Sequence, residues 1–119
     1  MVKLESLKKS NQFKKILKEK KFHSEYFSIF AAKNFYKPKY KNNLLISFVM
    51  KKKIGNAVIR NKIKRKLKYA VQKISKEKQL INLNYTYVIF GKNDVYKDKF
   101  VNVLSEINQT FIKINKMES

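Results

Sequence analysis

The chain has 119 residues, 44% of them hydrophobic, which is enough to bury the core of one domain but not of two. Lys and Arg number 29 against 8 Asp and Glu, so the formal net charge is +21. Charge of this size repels itself in a compact fold and indicates a polyanionic partner, of which nucleic acid is the obvious one. Cysteine is absent, which excludes disulfides and cysteine-ligated metal sites.

An acidic membrane surface is the competing partner for so basic a chain. However, no apolar run approaches the roughly 20 residues of a membrane-spanning helix. The first ten residues, MVKLESLKKS, do not predict a signal peptide, because their apolar side chains are isolated. We therefore expect a cytoplasmic protein, with no membrane partner, whose residues 1–119 form a single RNA-binding domain.

The first predicted helix has Ser10 as its N-cap, a position that serine favours, and continues to about Lys20. Its apolar face contains Phe13, Ile16 and Leu17. The basic segment that follows leads into a region with the alternation of a strand.

Residues 26–32, YFSIFAA, predict a strand. One face would contain Phe27, Ile29 and Ala31. The other face would contain Tyr26, Ser28 and Phe30. The linker 33–43, with Pro38 and four lysines, is expected to return the chain antiparallel into a strand at residues 44–50, LLISFVM.

The longest helix is predicted within residues 51–76, with Asn56 as its N-cap. Six apolar residues follow Asn56 at helical spacing and form a stripe that should face a core: Ile59, Ile63, Leu67, Ala70, Val71 and Ile74.

The outward side of this helix concentrates positive charge. Two rows at four-residue spacing lie beside the stripe: Arg60, Lys64 and Lys68, then Asn61 and Arg65. Between Glu25 and Glu77 there are fifteen Lys or Arg and no Asp or Glu, so local ion pairs cannot neutralise the surface. A charge run can be a solvated helix face, but like charges at this spacing weaken a helix. A polyanion explains them better, and its phosphates could also bind the free N–H groups at the helix start.

After a connector at residues 79–84, YTYVIF at residues 85–90 is rich in β-branched and aromatic residues and predicts a central strand. Residues 91–96 are expected to be a loop. From about Asp98, apolar residues again recur at helical spacing: Phe100, Val103, Leu104, Ile107, Phe111 and Ile114. The whole pattern predicts an α+β sandwich in which helices cover a small sheet.

The sequence offers little for protein-based catalysis, since a nuclease needs a carboxylate cluster for metal or a positioned acid and base. His23 is the only histidine, and a single histidine beside a strand is more often a surface or packing residue than a catalyst. Asp94 and Asp98 are four residues apart, but capping of the last helix explains them better than a metal. Gly55 and Gly91 are the only glycines, so no glycine-rich phosphate loop is present.

Aromatic residues among the charges offer a different chemistry. Single-stranded nucleic acid is held by stacking on aromatic faces within a basic groove. The candidates are Phe13, Tyr26, Phe30 and Tyr87. Each could instead be a core residue, and Phe30 is the best exception because it shares a strand face with Tyr26 and Ser28 rather than with Phe27.

The stretch GNAVIRNKIKRKLKYA resembles the signature of the bacterial ribonuclease P protein family, Lys-Lys-x-Gly-x-Ala-Val-x-Arg-Asn-Arg-x-Lys-Arg. The matching residues are Lys52, Lys53, Gly55, Ala57, Val58, Arg60, Asn61, Lys64 and Arg65. Lys62 stands where the family usually has a second arginine, and Lys51 where it commonly has serine. Arg60 and Arg65 are the only arginines in the chain, which hints that their planar, forked donors are needed here.

The resemblance implies a small, mainly antiparallel sheet packed with three helices in the order α-β-β-β-α-β-α, with a left-handed crossover through the central helix. It implies a non-catalytic RNA-binding subunit that helps a catalytic RNA remove the 5′ leader from precursor tRNA. No catalytic residue and no bound metal are expected in the chain, and the Mg²⁺ would be required by the RNA. The partners would be that RNA and precursor tRNA, with no protein partner implied.

Two sets of site residues are expected. The residues expected to bind the RNA subunit are Lys52, Lys53, Asn56, Arg60, Asn61, Lys62, Lys64, Arg65 and Lys68. Phe13, Tyr26 and Phe30 are expected to bind the leader; the resemblance supplies Phe13 and Phe30, and strand alternation adds Tyr26. Leu17 stands where many family members have a further aromatic. The alternatives are a small ribosomal protein or RNA chaperone and, more distantly, a self-sufficient nuclease.

Overall fold

The computed structural model describes residues 3–78 and 81–118, which form five strands and four helices. The strands are β1 (Leu4–Glu5), β2 (Lys20–His23), β3 (Phe27–Lys33), β4 (Leu44–Val49) and β5 (Tyr85–Gly91). The helices are α1 (Ser10–Ile16), α2 (Ala57–Lys78), α3 (Asn93–Lys97) and α4 (Phe100–Glu118). A short 3₁₀ turn, Lys52–Ile54, precedes α2. None of the helices within these residues is both long and apolar enough to cross a membrane.

The strands form one sheet in the order β1-β4-β5-β3-β2. The prediction that residues 85–90 form the central strand is confirmed, because β5 pairs antiparallel with β3 and parallel with β4. Strands β3 and β4 therefore run in opposite directions, as expected, but β5 lies between them. The connection from β4 through α2 to β5 is a crossover between adjacent parallel strands. The antiparallel pairings involve more residues than the parallel ones, β1 with β4 and β4 with β5.

One face of the sheet, here called the covered face, is packed under α2 and α4. The predicted stripes of both helices are confirmed: Ile63, Leu67, Ala70, Val71 and Ile74 of α2 and Val103, Ile107, Phe111 and Ile114 of α4 are buried. Ile59, Phe100 and Leu104 pack at the margin. The strands contribute buried Phe27, Ile29, Leu44, Ile46, Tyr87 and Ile89 to the same core. Tyr87, a candidate for base stacking, is fully buried against Phe111 and is a core residue.

The opposite face, here called the open face, is covered by α1, the segment before it and Tyr36 of the 33–43 linker in the described part of the chain. Its small core consists of Leu7, Ile16, Ala32 and Val88. Phe13, Phe30, Tyr36, Val49 and Phe90 pack around this core and are only partly buried. Three buried polar residues of the strands, Ser28, Ser47 and Thr86, also belong to this face, and each has a hydrogen-bond partner.

Gly91 allows α2 to lie close to the end of β5. A Cβ atom built on Gly91 would lie 2.8 Å from Ile63 Cγ2 and 3.0 Å from Leu67 Cδ1. Any larger residue would therefore push α2 away from the sheet.

The first helix and residues 91–96 differ from the sequence predictions. Ser10, predicted as the N-cap of the first helix, is its first helical residue; the N-cap is the extended Lys9, whose N–H donates a hydrogen bond to Gln12 Oε1. The helix ends at Ile16 rather than near Lys20, because Lys20 already pairs with Ala31 in the sheet. Residues 91–96, expected to be a loop, contain the end of β5 and most of α3. Of the predicted connector 79–84, residues 79 and 80 lie outside the described part of the chain.

Candidate nucleic-acid interface

A cleft of about 700 Å³, here called the open cleft, lies where α1 leaves the open face uncovered. Strands β2, β3 and β5, the 3₁₀ turn and the start of α3 all contribute to it. The lining residues that bear on function are Lys21, Phe30, Lys51, Lys53, Phe90 and Lys92. The cleft therefore combines aromatic faces with ammonium groups.

The aromatic centre of the open cleft is a pair of rings from neighbouring strands. Phe30 and Phe90 have ring centroids 5.7 Å apart and an interplanar angle of 70°, an edge-to-face arrangement. Lys21, the β2 residue paired with Phe30, places its Nζ 5.6 Å from the Phe30 ring centroid. Lys92, another lining residue, donates a 2.7 Å hydrogen bond from its Nζ to Ser24 O, which holds this lysine at the cleft.

His23 lies in the open cleft beside these lysines. Its Nδ1 is 3.0 Å from Ser28 Oγ. The positive charge of Lys21 lowers the pKa of His23 below its usual 6.5, and partial desolvation and Lys92 act in the same direction. The lysines that line the cleft give it a positive potential, which favours an anionic ligand.

Tyr26 does not share the open face with Phe30, so that prediction is wrong. Strand β3 begins at Phe27, and the alternation of side chains does not extend back through the turn before it. Tyr26 is 7% exposed, packs in the core of the covered face, and its hydroxyl donates to Asp98 Oδ2. That hydrogen bond raises the pKa of Tyr26 to about 12 and lowers the pKa of Asp98. The tyrosine thus joins β3 to the start of α4.

Phe13 also lies outside the lining of the open cleft. It lines a smaller cavity of about 270 Å³ between α1, the β1–β4 edge and α2. Lys64 and Lys68 of α2 line the same cavity. Leu17, at the end of α1, does line the open cleft and is 42% exposed.

The start of α2 is fixed as predicted. Asn56 Oδ1 accepts a 3.1 Å hydrogen bond from the Ile59 N–H, and Asn56 O accepts the first helical bond from Arg60 N. This N-cap satisfies one of the free donors of the first turn. The helix therefore begins at Ala57, separated by three residues from the lysines at 51–53.

The polar side of α2 presents its charges to solvent. Asn61, Lys62, Lys64, Arg65 and Lys68 are exposed, and none of them forms an ion pair with a carboxylate in the described residues. Arg60 differs, because its side chain is partly buried and its Nε has no hydrogen-bond partner among the residues that the structure describes. An unpaired buried donor is costly to the fold.

A second depression, here called the α2–α3 groove, has a volume of about 670 Å³ and is lined by Lys62, Arg65, Lys66, Tyr96 and Lys97. It shares no lining residue with the open cleft. Within residues 3–78 and 81–118, no group of three or more His, Asp or Glu is placed to hold a metal ion.

Comparison with known proteins decides the family. A family model described as Ribonuclease P matches residues 1–115. This chain belongs to the ribonuclease P protein family. It is 31% identical to the ribonuclease P protein component of Mesoplasma florum over 111 residues, 92% of this chain and 94% of that one. It is 32% identical to that of Rickettsia akari over 113 residues, 91% and 95% of the two chains.

Solved structures of ribonuclease P proteins have the same fold. The Thermotoga maritima protein superposes with a TM-score of 0.67 at 24% identity, over 95% of this chain and 96% of that one. The Staphylococcus aureus protein gives 0.66 at 25% identity, over 93% and 94%. The predicted α+β fold is confirmed. Family membership makes this chain the RNA-binding protein subunit of the tRNA-processing ribonucleoprotein endoribonuclease, and it implies association with ribonuclease P RNA.

The residues expected to bind ribonuclease P RNA are distributed over three depressions and the exposed start of α2. Lys53 lines the open cleft with Phe30, Lys62 and Arg65 line the α2–α3 groove, and Lys64 and Lys68 face the cavity near Phe13. Lys52, Asn56 and Asn61 are exposed around the start of α2.

Sequence reasoning missed Phe90 and Lys92 of the open cleft and Tyr96 of the groove. The alternation of β5 could have indicated Phe90, because it places Thr86, Val88 and Phe90 on one face. Nothing local indicates that β5 lies beside β3, and that neighbour relationship is what brings Phe90 to Phe30.

Proposed function

We propose that the open cleft binds the single-stranded 5′ leader of precursor tRNA while α2 binds ribonuclease P RNA. The RNA subunit and its Mg²⁺ would carry out the hydrolysis. This chain would hold the two RNAs together and reduce their mutual repulsion, which lowers the Mg²⁺ concentration needed for cleavage.

The observation that carries the leader proposal is the Phe30–Phe90 pair in a basic cleft. Both rings are partly exposed at the sheet surface, and Lys21, Lys51 and Lys53 lie around them. A single strand can place a base on an aromatic face and its phosphates on the lysines, whereas a duplex has no free base to stack. The cleft therefore suits an unpaired leader better than the tRNA body.

The arrangement of α2 supports RNA-subunit binding. Its exposed cations lie on a helix whose apolar stripe is fully engaged with the sheet, so they are held on a rigid element. Arg60 adds a guanidinium on a partly buried side chain near the start of the helix. A guanidinium can hold a phosphate or a guanine edge through two parallel bonds, which a lysine cannot do.

Binding of precursor and mature tRNA to the assembled holoenzyme tests the leader proposal. Phe30→Ala should weaken binding of precursor tRNA by about 1–3 kcal/mol, the range for one stacked base. Mature tRNA, which lacks the leader, should bind the variant holoenzyme almost as tightly as it binds the wild-type holoenzyme. Phe35→Ala is the matched control, since Phe35 is 36% exposed but does not line the open cleft. Equal losses for both tRNAs would contradict leader binding at Phe30.

Binding to ribonuclease P RNA over a range of salt concentrations tests the role of α2. Arg60→Lys keeps the net charge but removes the forked donor, so affinity should fall at every salt concentration with little change of slope. Loss of one charge-assisted hydrogen bond corresponds to about 1.5–3 kcal/mol. Lys39→Ala, an exposed charge in the 33–43 linker, is the control and should lose less. If Arg60→Lys binds like wild type, the forked geometry of arginine is not needed and α2 acts only as a charged surface.

Cleavage assays test where the chemistry resides. We expect the purified protein alone to leave precursor tRNA intact and its addition to ribonuclease P RNA to restore cleavage at low Mg²⁺. Cleavage by the protein without RNA would overturn this assignment.

A further inference from the structure

The α2–α3 groove combines cations with an exposed aromatic ring, as the open cleft does, but at a separate place on the molecule. Lys62 places its Nζ 5.8 Å from the ring centroid of Tyr96. Tyr96 is 38% exposed, and Arg65 and Lys97 complete the lining. The groove therefore presents a ring face with three cations around it.

Lys66 fixes the geometry of the groove. Its Nζ donates hydrogen bonds of 2.9 Å to Val95 O and 2.9 Å to Asp98 O, the carbonyls at the end of α3. This ammonium group therefore holds α3 against α2. Tyr96 is placed on a supported helix turn rather than on a free loop.

The neighbouring carboxylates form no ion pair with the cations of the groove lining. The Asp98 carboxylate accepts hydrogen bonds from Tyr26, Asn102 and the N–H of Lys99 and is not part of the lining. Asp94 lies in the first turn of α3 and is not part of the lining. Lys62, Arg65 and Lys97 have no ion-pair partner within the described ranges of the chain.

Aromatic surface continues beyond the groove along α2. Tyr69 lies one turn after Arg65, is 59% exposed, and makes an edge-to-face contact with Phe100 at 5.2 Å. One face of α2 thus contains Lys62, Arg65, Lys66 and Tyr69, and its Tyr69 end contacts the start of α4. Tyr69 and Tyr96 both keep exposed ring surface on which a base can stack.

We infer that the α2–α3 groove binds single-stranded RNA, with one unpaired base stacked on Tyr96 and the flanking phosphates bound by Lys62, Arg65 and Lys97. Alternating rings and cations match the alternating bases and phosphates of a single strand. The inference deepens the proposed function by assigning an unpaired nucleotide to a part of α2. The strand could come from ribonuclease P RNA or from a single-stranded end of precursor tRNA.

The absence of tryptophan from the chain provides a direct test. The full-length Tyr96→Trp variant has a single indole, whose fluorescence is quenched when a base stacks on it. It is titrated with ribonuclease P RNA, with precursor tRNA, with a short oligouridine, and with an RNA duplex of equal phosphate number. Tyr40→Trp is the matched control, because Tyr40 is 57% exposed and lies outside the groove.

We expect quenching of Tyr96→Trp by oligouridine and by at least one of the two natural RNAs, whichever supplies the strand. Tyr40→Trp should not respond, and the duplex should have little effect. Tyr96→Leu should bind the same RNA about five- to a hundredfold more weakly, whereas Tyr96→Phe should bind like wild type.

Two results would overturn the inference: no quenching of Tyr96→Trp by any single-stranded RNA, or equal quenching by the duplex. The proposed function can fail independently. If Phe30→Ala and Arg60→Lys both bind their RNAs like wild type, the proposed function fails. Quenching of Tyr96→Trp by oligouridine would still establish the groove as a single-strand site.

Discussion

The two faces of the sheet are made by the same strands but differ in how far they are covered. On the covered face, α2 has 22 residues and α4 has 19, so each is about 30 Å long at 1.5 Å per residue. On the open face, α1 has 7 residues and is about 10 Å long, against a sheet of five strands about 19 Å across. One short helix cannot cover that width.

This difference explains why the open face contains both a small core and a cleft. Leu7 and Ile16 bury the part near α1, while Phe30 and Phe90 remain partly exposed beyond it. Stability is therefore expected to reside mainly in the covered face. RNA binding is expected to reside in the open face and on the outer side of α2.

The largest expected effect is on the covered face. Leu67→Ala empties a fully buried position between α2 and β5 and should lower the free energy of unfolding by about 2–5 kcal/mol. Leu17, at the end of α1, is 42% exposed, so Leu17→Ala should change the free energy of unfolding by no more than about 0.5 kcal/mol. Urea denaturation followed by circular dichroism measures both. Similar losses for the two variants would show that the faces contribute equally.

A smaller effect is expected at Gly91, where β5 touches both the covered core and the open cleft. Gly91→Ala places a Cβ atom 2.8 Å from Ile63 Cγ2, and such overpacking should cost about 1–3 kcal/mol. Gly55→Ala is the comparison and should cost less, because its three nearest atoms all belong to partly buried Ile59, at 3.0–3.2 Å, and none is closer than 3.0 Å. A Gly91→Ala variant as stable as wild type would show that α2 can move away from the sheet without loss.

Local signals predicted the covered face well. The Asn56 cap and the stripes of α2 and α4 depend on spacing within one segment, and all three are confirmed. The β1 strand, two residues paired with β4, and the early end of α1 depend on distant partners that no local pattern specifies.

The site was less predictable than the fold for the same reason. Phe30 lies on the face that alternation assigned to it, but Tyr26 turns to the other core because Asp98, far away in sequence, accepts its hydroxyl hydrogen. Lys53 and Lys62 belong to one motif but line different depressions, because Lys53 lies in the 3₁₀ turn and Lys62 on α2.

One titratable group on each face of the sheet, Asp98 on the covered face and His23 on the open face, allows a further comparison. On the covered side, hydrogen bonds from Tyr26, Asn102 and the Lys99 N–H lower the pKa of Asp98 below its usual 3.8. The ionised carboxylate therefore stabilises the folded state above pH 3.8, and this contribution is lost as the pH falls through the lowered pKa. Asp98→Asn should flatten the dependence of stability on pH in that acid range, and Tyr26→Phe should flatten it partly. Urea denaturation at successive acid pH values measures this; parallel curves for wild type and Asp98→Asn would contradict it.

On the open side, the smallest expected effect is a change in the pKa of His23. In the free protein, Lys21 chiefly lowers this pKa below 6.5. A leader phosphate in the open cleft would oppose the lysine charges and favour the imidazolium, so the pKa of His23 should rise on binding of precursor tRNA to the holoenzyme. Binding should then strengthen as the pH falls from the bound to the free pKa, because the complex takes up a proton there.

His23 is the only histidine, so selective ¹³C labelling of its imidazole gives one titrating NMR signal without interference from another residue. Lys21→Ala in the free protein should raise the pKa of His23 by removing the main cause of its depression, which calibrates the charge effect. Mature tRNA is the control ligand and should leave the signal unchanged, since it has no leader to enter the cleft. An equal rise with both tRNAs would assign the phosphate to the tRNA body. No rise with precursor tRNA would show that the leader backbone does not pass His23, and the leader path would then have to lie nearer Leu17 and the end of α1.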